Sequence, residues 1–323
     1  MRVFRILARI FIQPLVALWF CLPLLGRTER LLSFFLHLFP RLLWSRHVQL
    51  QRCEVAGVTC HRFRSRRRSS EDQGNLVVYV HGGGFILGSV WSHAAAVAWL
   101  CRRSGCDILL PDYALGPVSR YPVALDQLTR IWDALRRDGQ DPARVVWGGE
   151  SAGANLLLAL LQSCVHRQDT LPGAAFLESP FLDLTFSGES NHSNFLRECI
   201  LPGLPPFSNL NTFWLKFLYA GTYRTDDPRV SPLFGSFDGL PPLYFSWSET
   251  ELLRDDARRA VAKARKAGIP VRTLSFANTP HGNSLFVSLY PESSQGIRAI
   301  AAFIRDQLPA TGNGQAERPA APD

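Results

Sequence analysis

The sequence lacks the repeated cysteine and histidine spacings that build zinc sites or disulfide scaffolds: its seven cysteines, at 21, 53, 60, 101, 106, 164 and 199, are odd in number and irregularly placed. They read as buried thiols and argue for a reducing compartment. No Gly-Lys-Ser/Thr follows a glycine-rich turn, which excludes a P-loop, and Gly82-Gly83-Gly84-Phe85 does not match the dinucleotide fingerprint. Long apolar runs are also missing. Residues 10–25 are interrupted by Gln13, Pro14 and Pro23 and would span about 24 Å as a helix, against a hydrocarbon core of about 30 Å. Gly26-Arg27-Thr28 follows them in place of an Ala-x-Ala-like cleavage site, so a removed signal peptide is not expected.

Acidic residues are scarce at one end only. Residues 1–68 hold 13 arginines against Glu29 and Glu54, so the net charge of +8 becomes −3 for everything beyond them. These arginines sit among Leu, Phe and Trp and not on a separate face, a pattern that suits an anionic membrane surface and not a nucleic-acid backbone. Residues 1–48 are therefore expected to form a hydrophobic, basic N-terminal segment, either a membrane anchor through residues 1–44 or helices capping the active site. The corresponding localisation is membrane-associated, and otherwise cytoplasmic.

A hydrophobic content of 46% with 19% charged residues is that of a folded globular chain. Residues 50–64 alternate polar and apolar side chains and predict a hairpin. Short apolar, β-rich runs then recur at residues 76–80, 108–110, 145–147, 174–177, 243–245 and 271–276, with helical patterns at 92–103, 122–137, 152–166 and 255–267. Strands alternating with helices imply an α/β fold, a mainly parallel sheet with helices on both faces. The domain is expected over 49–309. Residues 181–231 break the alternation and are rich in aromatics (Phe195, Phe207, Phe213, Trp214, Phe217, Tyr219), as a cap insert lining an apolar pocket would be. The Pro/Ala/Gly-rich tail at 310–323 is expected to be disordered.

Within this frame Gly149-Glu150-Ser151-Ala152-Gly153 ends an apolar run and opens a helical pattern, the setting of a nucleophile elbow at Ser151. His81-Gly82-Gly83-Gly84 follows an earlier strand, and its glycines leave backbone amides open to a developing oxyanion, with the Ala152 amide as their partner. A serine nucleophile needs a base and the base needs an acid. His281, in Thr279-Pro280-His281-Gly282 after the final strand, completes the chain order serine, acid, histidine. Four carboxylates precede it in Glu249-Thr250-Glu251-Leu252-Leu253-Arg254-Asp255-Asp256. Asp255 and Asp256 read as caps of the following helix, which leaves Glu249 and Glu251.

Together these segments resemble the hormone-sensitive-lipase-like branch of the α/β-hydrolase family, which includes carboxylesterases and arylacetamide deacetylases. His81-Gly82-Gly83-Gly84-Phe85 is similar to its oxyanion motif and Gly149 to Gly153 to its nucleophile motif. Asp112-Tyr113-Ala114-Leu115-Gly116-Pro117, Tyr121-Pro122, Asp126, Ser231-Pro232-Leu233 and Gly239-Leu240-Pro241-Pro242 match as well. The resemblance spans about residues 75–308. It implies a helical cap built from the N-terminus and the insert, and an esterase acting through Ser151, His281 and an acid at Glu251, where Asp is usual. Gly83, Gly84 and Ala152 would hold the oxyanion, with His81 and Gly82 in support. The implied substrates are short- to medium-chain acyl or aryl esters, small molecules or lipids, and no cofactor or metal is implied. An amide hydrolase or deacetylase with the same triad is the alternative, followed by a non-catalytic ligand-binding member. Ala114, Ser248 and Glu150 depart from a common Arg, Gly and Asp of the branch.

Overall fold

Residues 48–65 pair with themselves before they join anything else. Strands β1 (Val48–Val55) and β2 (Val58–Ser65) are antiparallel, and Ala56 and Gly57 turn between them with φ of 50° and 77°, the left-handed pair that a two-residue hairpin needs. The structure, a computed structural model, describes residues 47–66, 74–201, 215–287 and 289–309. The expectations for the N-terminal segment, for Phe207, Phe213 and Trp214 and for the tail lie outside the described residues. Among those described, no helix is long and apolar enough to cross a membrane.

Six further strands and the runs between them follow the expected alternation. In chain order they are β3 (Leu76–Val80), α1 (Val90–Ser104), β4 (Asp107–Pro111), α2 (Val123–Arg137), β5 (Val145–Glu150), α3 (Ala152–His166), β6 (Ala174–Glu178), β7 (Leu243–Ser248), α4 (Arg254–Lys266), β8 (Val271–Phe276) and α5 (Pro291–Gln307). The eight strands form one sheet in the order β1-β2-β4-β3-β5-β6-β7-β8, parallel except where β2 meets β1 and β4. Period-two alternation divides the core. Leu76, Val78 and Val80 face Leu128, Ile131, Leu157 and Val261 on one side, while Val77 and Tyr79 face Val97, Ile300 and Phe303 on the other. Helix α5 was not among the expected helices, although Pro291 starts it and Ile297, Ile300, Ala301 and Ile304 give its buried face a helical period. The six described cysteines are all buried except Cys53, which is half-buried.

Strand β3 lies between β4 and β5, so the connection leaving β3 runs to one side and the chain then crosses to the other. Such a switch point leaves a crevice at the carboxyl ends of the two strands. The glycine turn after β3 and Ser151 after β5 both open into it.

The described part of the insert forms no strand, and its two ends are drawn together. Asn155 of α3 donates through Nδ2 to the carbonyls of both Phe181 and Val230 at 2.9 Å, and the Leu233 amide donates to the Leu182 carbonyl at 3.2 Å. Asp255 and Asp256 differ from expectation here. Helix α4 has Leu253 at its cap position and no side-chain cap. Asp256 accepts the amides of Leu182 and Asp183 at 2.8 and 3.0 Å, and Asp255 accepts that of Ser190 at 2.8 Å. The amides that enter the insert are buried and without strand partners, so they recruit the carboxylates; both still sit in the first turn of α4, where the helix dipole favours negative charge.

Helix α3 approaches β3 closely through Gly153: a Cβ there would stand 2.1 Å from the Val80 carbonyl oxygen and 2.5 Å from that of His81. Neither backbone atom can yield without moving the end of β3. Gly153→Ala is expected to destabilise the fold by about 2 kcal/mol or more in urea unfolding, the scale of core overpacking; stability unchanged within error would contradict this close packing.

Candidate active site

Ser151 is held in a conformation that its side chain does not favour, with φ 55° and ψ −121° between β5 and α3. The strain is carried by a ring of backbone bonds: the Ser151 amide donates to the Glu178 carbonyl at 3.0 Å, and its own carbonyl accepts from Ala154 at 3.1 Å and Phe181 at 3.2 Å. The residue is buried, 5% exposed.

Across the crevice the chain after β3 folds back on itself. The Gly83 carbonyl accepts the amides of Ile86 and Leu87 at 3.2 and 2.9 Å. Gly83 adopts φ 119°, and a Cβ on it would lie 2.3 Å from the Leu87 oxygen, so no larger residue fits. The Tyr113 hydroxyl donates to the His81 carbonyl at 2.8 Å while the two rings stack 4.3 Å apart. Phe85 stacks on Tyr219 from the insert at 3.7 Å. The amides of Gly83, Gly84 and Ala152 donate to no group among the described residues.

His281 follows β8 on a loop that returns to this edge. Its Nδ1 lies 3.2 Å from Oε2 of Glu251, which is fully buried. Of the two carboxylates left open by the sequence, Glu249 faces elsewhere, accepting from Trp247 Nε1 at 2.9 Å and pairing with Arg258. The insert holds the Glu251 loop from outside. Asn194 donates through Nδ2 to the carbonyls of Glu249 and Glu251 at 3.0 and 2.9 Å, Ser190 Oγ donates to the Leu252 carbonyl, and Glu198 accepts the Leu252 amide at 3.3 Å.

Two further buried carboxylates stand beside this pair. Glu150 Oε1 is 3.4 Å from His281 Nε2, and Glu150 Oε2 is 3.4 Å from Nε2 of His93 on α1. Glu178 accepts the Ser284 amide at 2.7 Å and so anchors the loop that carries His281. Burial pushes the carboxyls of all three glutamates up. For Glu178 burial prevails, with Glu150 and Glu251 adding to it, and its pKa rises to about 7. Glu251 also ends above its usual range in spite of His281. For Glu150 the two histidines prevail and hold it down at about 2. Burial would lower His281, but Glu150 and Glu251 together raise it well above an ordinary histidine.

In the sequence Glu150 stands out only as a departure from Asp, and Asn155, Glu178, His93 and the Ser190–Asn194–Glu198 face are not among the expected site residues. Glu178 carried a usable signal: a carboxylate ending an otherwise apolar parallel strand lies at the edge where ligands bind.

A strained serine turn facing a glycine turn at a sheet's switch point marks the α/β hydrolases, and residues 77–285 match the family described by the alpha/beta hydrolase fold. The chain belongs to that family, in its hormone-sensitive-lipase-like branch, and is an enzyme of the carboxylic ester hydrolase class. It is similar to an esterase of Acinetobacter venetianus, 32% identical over 263 residues that cover 79% of this chain and 82% of that protein. An acetyl-hydrolase of Streptomyces hygroscopicus is 34% identical over 250 residues, covering 76% and 80%. Among solved structures, an esterase from the bacterial hormone-sensitive lipase family superposes with a TM-score of 0.76 at 29% identity, covering 81% of this chain and 86% of that one.

The two glutamates separate by mutation. Glu251→Gln is expected to lower kcat/KM by about a thousandfold, since the neutral amide loses the charge that balances an imidazolium. Glu249→Gln removes only a surface pair and is expected to change it by less than about threefold. Equal activity of the two variants in an ester hydrolysis assay would overturn the difference drawn here.

Proposed function

We propose that the chain hydrolyses carboxylic esters of short- to medium-chain acyl or aryl groups by acyl transfer through Ser151. The observation that carries this reading is the convergence on one sheet edge of a strained Ser151, the open Gly83, Gly84 and Ala152 amides, and a buried His281 paired with Glu251. Ser151 Oγ attacks the acyl carbonyl carbon as its proton passes to His281 Nε2. The three amides receive the oxyanion, stabilising it by about 3–4 kcal/mol per donor. Collapse expels the alcohol, which takes the proton from His281, and water then enters by the same route to release the acid. Glu251 holds Nδ1–H and balances the imidazolium.

The preference for small acyl groups is supported by Tyr219, which stacks over Phe85 beside the oxyanion turn, and by the acetyl-hydrolase named among the relatives. Retention of His281 with a buried acid favours catalysis over a ligand-binding role. The basic, apolar composition of residues 1–44 supports association with an anionic membrane surface.

Labelling with a fluorophosphonate probe tests the nucleophile: wild-type protein is expected to take the label and Ser151→Ala to take none. Folded wild-type protein that stays unlabelled would defeat the reading. In a series of nitrophenyl esters, kcat/KM is expected to peak at short to medium acyl chains, and preferential cleavage of aryl acetamides would redirect the assignment to amides. For the membrane, full-length protein is expected to sediment with anionic vesicles and residues 49–323 to remain in the supernatant; equal partitioning of the two would refute the association.

A further inference from the structure

We propose that Glu150 is a positioning residue for the hydrolytic step, its carboxylate standing against His281 Nε2 to stabilise the imidazolium formed when the ring accepts the Ser151 proton. This rests on the triad reading above and adds a second anion to it.

Glu150 ends β5 immediately before the nucleophile and is 2% exposed. Its oxygens divide between two imidazoles, Oε1 at 3.4 Å from Nε2 of His281 and Oε2 at 3.4 Å from Nε2 of His93. The loops on either side leave room for it: a Cβ on Gly82 would lie 2.0 Å from Oε2, and one on Gly282 would lie 3.0 Å from Oε1. A carboxylate buried this deeply is costly unless cations or donors compensate it, and the two rings supply that compensation. An Asp in this place would draw the carboxylate back by about 1.5 Å, one carbon–carbon bond.

Glu150 takes no proton in the reaction. The Oγ–H bond of Ser151 breaks as Oγ bonds to the acyl carbon, the proton moves to His281 Nε2, and it leaves with the departing alcohol when the carbon–alkoxide bond breaks. During that interval the ring is positive, with Glu251 at Nδ1 and Glu150 beside Nε2. Both anions lower the energy of the charged ring. They also keep the resting ring protonated to higher pH, so the basic form that accepts the serine proton appears only above the raised pKa.

The other charged and titratable groups facing this pair are fixed in place. Glu178 of β6 sits beneath the His281 loop on the Ser284 amide, and Glu198 of the insert acts on Glu251. On the far side of Glu150, His93 has its Nδ1 2.9 Å from Ser92 Oγ, and the phenols of Tyr79 and Tyr113 feel the Glu150 charge.

The test is the pH profile of nitrophenyl acetate hydrolysis for wild type, Glu150→Gln and Glu150→Asp, with the His281 ring titrated by NMR in wild-type protein. The acid limb of kcat/KM is expected to fall by about one pH unit or more in Glu150→Gln, the shift that loss of one neighbouring charge produces. The plateau kcat is expected to drop about tenfold with KM within about twofold. Glu150→Asp is expected to lie between, with a smaller shift in the same direction. A uniform loss of rate with the limb unmoved would make Glu150 a structural prop and overturn the proposal. So would a wild-type His281 that titrates near the ordinary value of about 6.5, a measurement that decides the matter even if Glu150→Gln does not fold. Failure of the triad reading would show separately, as esterase activity surviving in Ser151→Ala.

Discussion

Charge buried without water must be balanced within a few ångströms, and that requirement organises the carboxyl edge of this sheet. Glu150 and Glu178 are register partners on adjacent strands, and Glu251 closes the group from the loop after β7. Three carboxylates this close cannot share one environment. Glu150 stays ionised between two imidazoles, Glu251 takes the other side of His281, and Glu178, which lacks a cation, is driven up to about 7 and serves as an acceptor for a backbone amide. The position of His281 follows from the two nearest anions and from the loop that the third anchors.

The sheet supplies the frame for this balance. Because β3 sits between β4 and β5, the glycine turn after β3 and the Ser151 turn after β5 emerge side by side, and glycine is demanded where two backbones meet, as at Gly153 against Val80. The same packing keeps Ser151 in its strained state, since relaxation would break the bonds to Glu178, Ala154 and Phe181 together.

Much of this was legible in the chain. Short continuous apolar runs marked the strands because burial on both faces leaves few other readings, helical patterns marked the segments between them, and the glycine turn, Ser151 and His281 stood out because each lies at a strand end. The carboxylate partner of His281 was harder to read. Glu249 and Glu251 are two residues apart on an irregular loop, and only the fold shows that one meets Arg258 and the other His281. Asp255 and Asp256 have the sequence of caps, yet long-range amides at 182, 183 and 190 claim them. The partners of Asn155 lie 26 and 75 residues away, a distance that no local pattern encodes.

The segment that follows β6 has two duties. Further along the insert, Tyr219 stacks on Phe85 beside the glycine turn, while its first part, through Ser190, Asn194 and Glu198, braces the loop that carries Glu251. One stretch of chain therefore both lines the crevice and holds the loop behind His281. A substitution made around Tyr219 acts within the same segment that, through Asn194, fixes the loop carrying Glu251, so the wall beside the glycine turn and the carboxylate partner of His281 are not independent parts.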